Sequence, residues 1–322
     1  MSTTLERDLV DALAPIRLDM NLSDVRKRAR VRRRRKRSFV AIPATGLALA
    51  LVLPLLLPTD HGGPVTASAA LREAAASAAR QSWVAPKPGQ YWYSQEQIYQ
   101  SYQGSYTAYG ASTGDFWMGQ DGSGSMRERG LPGLTFLRPQ DRASWIAHGQ
   151  PGLVNMGNGN ATFSPGQYEY DFGSGPISLP DLLNLPTDQA ALQAKIRAAA
   201  STAGPSPAQE TWTIFTDLAS APLSPELRAA LYRVVAQDVP GVSYLGAMKD
   251  PLGRPGVGIA RDSGSTRQVV IFDPSTGQFL GEETRVLKET AGWDVPVGSI
   301  VDYSLVVQSG WVDDLGDYPS TN

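Results

Sequence analysis

Hydrophobic and polar residues separate most sharply near the N-terminus of this chain. Residues 39–57 include no charged side chain, whereas ten of the preceding residues 26–37 are Arg or Lys. A helix of this apolar length, at about 1.5 Å per residue, reaches about 28 Å, close to the hydrocarbon thickness of a bilayer. The pattern predicts a transmembrane helix over residues 38–58.

The basic run predicts the orientation of that helix. Cationic segments stay on the cytoplasmic side, so residues 1–37 should lie inside the plasma membrane and the C-terminal domain outside it. The basic run leads directly into the apolar segment, so anionic lipid headgroups are its nearest partner and attract each cation by about 1 kcal/mol. No nucleic-acid partner is therefore predicted. The residues with this topological and lipid-facing role are Arg26, Lys27, Arg28, Arg30, Arg32, Arg33, Arg34, Arg35, Lys36 and Arg37.

Two alternatives remain open around this anchor. Ala67-Ser68-Ala69 offers the small residues of a signal-peptide cleavage site, but the apolar run is longer than the usual h-region of about 7 to 15 residues. A retained anchor is therefore favoured. Ahead of the basic run, Leu5, Leu9 and Leu13 fall on one helical stripe, which predicts either a docking helix for a cytoplasmic regulator or a frayed tail.

The net charge of the chain changes sign at the same boundary, near residue 37. Residues 1–37 hold 12 of the 29 Lys and Arg and 5 of the 31 Asp and Glu, a net of +7, which leaves −9 for the remainder. This asymmetry indicates a basic arm on an acidic domain. The chain contains no Cys, so packing rather than disulfides must hold an extracytoplasmic domain together.

The pattern beyond the anchor predicts an α+β fold with an antiparallel meander or open-barrel sheet. Residues 59–88 form a predicted linker with an Ala-rich helix, and residues 89–322 form the domain. Within it we predict a β-rich part (89–179), a helical part (180–240) and a β-meander (241–310), because the hydrophobic period changes from two to helical and back. Residues 100–114, rich in Ser, Gln, Tyr and Gly, are predicted to form a long exposed loop.

The candidate binding residues are aromatic. Tyr91, Trp92, Tyr93 and Trp117 belong to a dense aromatic region, which predicts either a stacking platform for an envelope sugar or peptide, or one wall of a β core. No catalytic, cofactor-binding or metal-binding residue is predicted. Residues 110–114 match G-x-S-x-G, but the residues that follow are strand-like, whereas a nucleophile elbow needs a helix there.

Five segments resemble, in order, a family of uncharacterised actinobacterial single-pass membrane proteins. These segments are residues 88–93, 185–188, 223–232, 250–256 and 271–278. Members of that family often accompany extracytoplasmic-function sigma factors, so the resemblance implies a signalling role. The order of elements is also similar to envelope carriers and sensors of the lipoprotein-carrier kind, at the level of fold only.

Together these features predict a non-enzymatic, single-pass membrane protein whose extracytoplasmic domain binds a ligand or partner. Envelope sensing or sigma-factor-linked regulation is the favoured role. A membrane-tethered carrier of lipid or another apolar ligand is the alternative, and an envelope hydrolase is a distant third.

The predicted orientation can be tested by protease access. Protease added to intact spheroplasts should digest residues 65–320, because the basic run keeps only residues 1–37 inside. An antibody against the C-terminal domain, read on a blot, measures the digestion. Lysed spheroplasts are the control, and a domain protected until lysis would contradict the orientation.

Overall fold

A computed structural model of the protein describes residues 65–103, 105–150, 159–201, 206–289 and 295–320. The basic run, the segment 38–58 and the remainder of residues 1–64 lie outside these ranges, so their assignments stay predictions. No helix within the described ranges is both long and apolar enough to span a bilayer.

The described residues form an α+β fold, as predicted. The helices are α1 (Ala67–Ala79), α2 (Pro139–Ala147), α3 (Leu179–Leu183), α4 (Gln189–Ala200), α5 (Pro207–Ala219) and α6 (Pro225–Asp238). The strands are β1 (Tyr91–Gln103), β2 (Thr107–Gly119), β3 (Gly124–Gly130), β4 (Gly159–Phe163), β5 (Tyr170–Phe172), β6 (Gly175–Ile177), β7 (Val242–Lys249), β8 (Pro255–Ser263), β9 (Thr266–Phe272), β10 (Phe279–Val286) and β11 (Ile300–Val312).

One large antiparallel sheet organises the fold. Its strand order in the described residues is β4-β3-β2-β1-β11-β10-β9-β8-β7. Two runs of consecutive strands, β1–β4 and β7–β11, thus meet where β1 pairs with β11. Strands β5 and β6 form a separate two-stranded sheet. The sheet therefore joins the predicted β-rich part and the predicted meander into one structure.

Serine N-caps define where several of the helices begin. A capping Ser followed by Pro predicts a helix start at residues 224–225, and the structure has it. The Ser224 hydroxyl accepts a hydrogen bond from Leu227 N at 3.2 Å, and Pro225 begins α6. Ser206 caps α5 in the same way, ahead of Pro207. These caps set the first turns of α5 and α6, whose apolar side chains belong to the main hydrophobic core.

The main hydrophobic core lies between the helices and one face of the sheet. Helix α1 packs along α6 and buries Leu71 completely. A chain of aromatic contacts then runs from α5 to the sheet: Phe215 lies 5.9 Å from Tyr232, and Tyr232 lies 6.0 Å from Phe272 of β9, measured between ring centroids. Side chains therefore fill the space between the helical layer and strands β8 and β9.

The predicted loop over residues 100–114 is wrong. Strand β1 continues to Gln103 and β2 begins at Thr107, so most of this segment is a long hairpin. The segment forms strands despite its polar composition, because Tyr109 is buried at 2% exposure and pairs opposite Ser101 of β1. Helix α2, inside the predicted β-rich part, was also missed; its nine residues include few apolar positions at helical spacing.

The sequence Asp-Pro-Ser-Thr-Gly over residues 273–277 predicts a hairpin turn, and the structure has this turn before β10. Gly277 has φ +67, a conformation that favours Gly. A Cβ at this position would collide with Ala74 O and the Ala78 side chain of α1. The Gly277 carbonyl also accepts a hydrogen bond from the Tyr232 hydroxyl at 2.8 Å. The turn is therefore clamped between α1 and α6.

Replacement of Gly277 should cost more than replacement of a glycine in an open turn. Gly264 has φ +61, but a Cβ at Gly264 would meet nothing within 4 Å, so Gly264→Ala should lower the free energy of unfolding by about 1 kcal/mol. Gly277→Ala should cost about 2 kcal/mol more, because α1 must move. Urea unfolding of the full-length chain in detergent measures both, and equal losses would contradict the close contact with α1.

Candidate functional site

The two faces of the large sheet have different surroundings. Side chains alternate along a strand, so Trp92 and Tyr93 of β1 point to opposite faces. Trp92 belongs to the main core together with the helices, whereas Tyr93 packs in a separate cluster with Trp117 and Val312. We call the face of Trp92 the helix-side face and the face of Tyr93 the outer face.

The predicted aromatic residues divide between these faces. Tyr91, Tyr93 and Trp117 come together on the outer face, and Trp92 does not join them. Tyr93 and Trp117 are buried, and the ring of Tyr318 lies 5.2 Å from Tyr93 and 5.7 Å from Trp117. Ligand binding by these aromatic residues stays a prediction. In the structure the ring of Tyr318 packs against the rings of Tyr93 and Trp117.

A buried carboxylate organises the outer face beside these rings. Asp115 is fully buried, and its Oδ1 accepts hydrogen bonds from the Tyr93 hydroxyl and Gln95 Nε2, both at 2.8 Å. Arg129 donates to Oδ2 at 3.1 Å. Burial, followed by the hydrogen bond to Asp115, raises the pKa of Tyr93. The hydroxyl therefore stays protonated and acts as a donor that fixes the ring.

On the helix-side face, three polar groups at one end of β1 and β11 lack hydrogen-bond partners. The indole rings of Trp92 and Trp311 meet edge to face with centroids 5.2 Å apart. Neither indole N–H donates a hydrogen bond, and neither does the hydroxyl of Ser94. Trp92 and Ser94 are 7% and 2% exposed, whereas Trp311 is partly exposed. We call Trp92, Ser94 and Trp311 the donor cluster.

Four carboxylates continue the same face across neighbouring strands. We call them the acidic strip: Glu96 of β1, Glu128 of β3, Glu282 of β10 and Asp302 of β11. Two contacts confirm that they share a face with the core. Ser304 Oγ donates to Glu96 Oε2 at 3.1 Å, and Glu282 pairs in register with the core residue Val270. All four carboxylates are partly exposed.

Apolar groups lie among these carboxylates. Glu96 and Glu128 both flank Gly114 of β2 in the strand register. The Phe116 ring folds over Gly114, since a Cβ there would lie 2.6 Å from Phe116 Cε2. Ile98, the next residue of β1 on this face, pairs with Ser304. The strip therefore alternates negative and apolar groups.

Tyr170 of β5 packs in the main core against Met118 of β2. Its hydroxyl is buried and makes a weak contact of 3.8 Å with the sulfur of Met118. Burial raises the pKa of Tyr170, and the charges of Tyr168 and Glu96 raise it further.

The G-x-S-x-G segment does not have the geometry of a nucleophile elbow. Ser112 lies within strand β2, at 2% exposure, and its hydroxyl donates to Glu128 Oε1 at 2.8 Å. An elbow instead presents its serine on a sharp turn between a strand and a helix. In the ranges that the structure describes, no group of three or more His, Cys, Asp or Glu side chains could hold a metal ion.

Comparison with known proteins adds little to this description. No protein-family model and no curated protein sequence matches the chain. Among solved structures, the crystal structure of MucB in complex with MucA(peri) is similar over 79% of this chain and 57% of that chain, with 15% sequence identity and a TM-score of 0.27. The match spans less than two thirds of the MucB chain and is too loose to carry an argument about function.

The sequence reveals only part of this arrangement. The adjacent residues Glu282 and Glu283 face opposite sides of the sheet, as strand alternation predicts. The donor cluster was missed because Trp92 and Trp311 are neighbours only through the pairing of β1 with β11. The available signal was the spacing of Trp92, Ser94 and Glu96, which places three polar side-chain groups on one face of a predicted strand.

Loss of the buried carboxylate should destabilise the outer face more than loss of a surface ion pair. Asp115→Ala leaves Tyr93 and Gln95 without an acceptor and should lower the free energy of unfolding by about 3 kcal/mol. Tyr93→Phe should cost about 1 kcal/mol. The control is Asp262→Ala, which removes the ion pair with Arg267 and should cost less than about 1 kcal/mol. Urea unfolding of the full-length chain measures all three, and equal losses for Asp115→Ala and Asp262→Ala would contradict this assignment.

Proposed function

We propose that this chain is a non-enzymatic, single-pass membrane protein whose domain outside the cytoplasm binds a protein partner. The observation that carries the proposal is the acidic strip on the helix-side face of the sheet, whose four partly exposed carboxylates lie beside the partly exposed ring of Phe116. Interfaces combine apolar contacts with charges that steer the partner, and this face offers both. The predicted anchor would hold the domain at the membrane, and residues 1–37 would convey binding to a cytoplasmic regulator.

The two other candidate functions fit the site less well. A carrier of acyl chains needs an apolar cavity, but core side chains such as Phe272 and Tyr232 occupy the space between helices and sheet. A depression of about 250 Å³ beside β3 is open and lined by polar groups, including Arg127, Glu128 and Asn160. A serine hydrolase is disfavoured by the position of Ser112 inside a strand.

Site-specific photocrosslinking in the native host tests this proposal. A photoreactive phenylalanine analogue replaces Glu128 or Ser304 on the helix-side face of the full-length chain. The control position is Asp262, an exposed residue near the β8–β9 turn. After irradiation, both test positions should give a discrete protein adduct that mass spectrometry identifies as the same partner.

The control position should give no such adduct. Adducts of equal yield at Asp262, or lipid adducts alone at Glu128 and Ser304, would contradict a specific protein partner on this face. Protein adducts confined to the helix-side face would support it, whatever the partner's role in regulation.

A further inference from the structure

The C-terminal residues 313–320 turn back over the outer face of the sheet, and we call them the strap. Gly316 has φ +105 in the turn that follows β11. The Pro319 ring then lies against Gly310 of β11, where a Cβ would come within 3.0 Å of two atoms of that ring. The strap therefore covers the aromatic cluster of the outer face.

The sheet holds the strap through contacts of the kind that bind a peptide. The Trp117 indole N–H donates to Asp317 O at 2.6 Å, and Gln308 Nε2 donates to Pro319 O at 3.0 Å. Between these two carbonyls, the Tyr318 ring meets Trp117 edge to face. In peptide recognition, hydrogen bonds to the main chain supply affinity and side-chain contacts supply specificity. Both kinds of contact are present here.

The surface beneath the strap is well ordered by its own contacts, whereas the strap is held at few points. Tyr93 and Trp117 are 0% and 1% exposed, and the hydrogen bond to Asp115 fixes the Tyr93 ring. Residues 313–318 are all exposed, and Tyr318 keeps 52% of its surface in water. Segments with few buried contacts open at lower cost than the elements they cover. The strap can therefore leave the sheet without unfolding it.

We propose that the outer face over β1, β2 and β11 is a peptide-binding surface that the strap occupies in cis, and that a partner segment with a Tyr-Pro pair displaces the strap. The tyrosine ring of that segment would replace Tyr318. The carbonyl before its tyrosine would accept from Trp117, and the carbonyl of its proline would accept from Gln308. This surface lies on the opposite face of the sheet from the acidic strip, so it is separate from the binding face proposed above.

A Tyr-Pro pair matches this surface in two ways. The residue before a proline is restricted to extended conformations, so little entropy is lost when the Tyr318 ring is presented to the sheet. Proline has no backbone N–H, so it leaves no donor without an acceptor where it packs against Gly310. Segments that lack either residue should bind less well.

Peptide binding to the full-length chain in zwitterionic nanodiscs tests the inference. The probe is a fluorescent peptide with the sequence of residues 313–320, and the matched control peptide has Ala in place of its Tyr. Because the strap competes for the surface, Tyr318→Ala in the protein should tighten binding of the probe about 10-fold, as measured by fluorescence anisotropy. Equal affinity of the probe for the two proteins, or equal binding of the two peptides to the Tyr318→Ala protein, would overturn the inference.

A change in the surface beneath the strap then separates this site from non-specific attraction. In the Tyr318→Ala protein, Gln308→Ala removes the donor to the proline carbonyl and should weaken binding of the probe about 5-fold. The matched control is Gln278→Ala, at an exposed position in the turn before β10, which should leave the affinity unchanged. Equal effects of Gln308→Ala and Gln278→Ala would place the probe elsewhere and overturn the site.

A measurement on the unmutated chain guards against variants that fold poorly. The chain is labelled with 3-fluorotyrosine, and the fluorine resonance of Tyr318 is assigned from its absence in Tyr318→Phe. An excess of unlabelled probe should move this resonance to the position of a tyrosine in a free peptide, and the control peptide should not. A Tyr318 resonance that stays in place would show that the strap is not displaced and would overturn the inference.

Discussion

The pairing of β1 with β11 is the interaction on which the rest of the structure depends. It runs from Tyr91 opposite Val312 to Tyr99 opposite Tyr303 and joins two runs of strands into one sheet. Without it, β1 and β11 would each leave an open edge, and the aromatic residues that meet across this seam would separate. The donor cluster, Asp115 and its partners, and the acidic strip all lie on or beside this seam.

The register of that seam is held by an arginine on a distant turn. Arg254 donates to Asp250 at 2.6 Å, to Val306 O at 2.6 Å and to Leu280 O at 3.0 Å. Both carbonyls lie where the strand register shifts, in β11 and β10 respectively. A slip of one residue in either strand would turn its side chains to the other face. Arg254 therefore helps to keep Glu282 and Asp302 on the helix-side face.

Local patterns were sufficient to predict much of the fold but not its assembly. The Ser-Pro start of α6, the Gly277 turn and the strands of the predicted β-meander (241–310) each depend on neighbours in sequence, and the structure has them. The hairpin of β1 and β2 was missed because its Ser, Gln and Gly residues have the composition of a loop, although Tyr109 is buried. The seam could not be predicted, because it brings together residues about 200 positions apart, such as Gln97 and Tyr303.

The place of β11 in the sheet has a consequence for how the protein matures. This strand occupies the centre of the sheet but follows all the other described strands in sequence. During synthesis, β1 and β10 must wait with unpaired edges until β11 emerges between them. Pairing between such distant segments is intrinsically slow, and open edges invite pairing with other chains. The interval before β11 is inserted is therefore the stage at which a chaperone would protect this domain most.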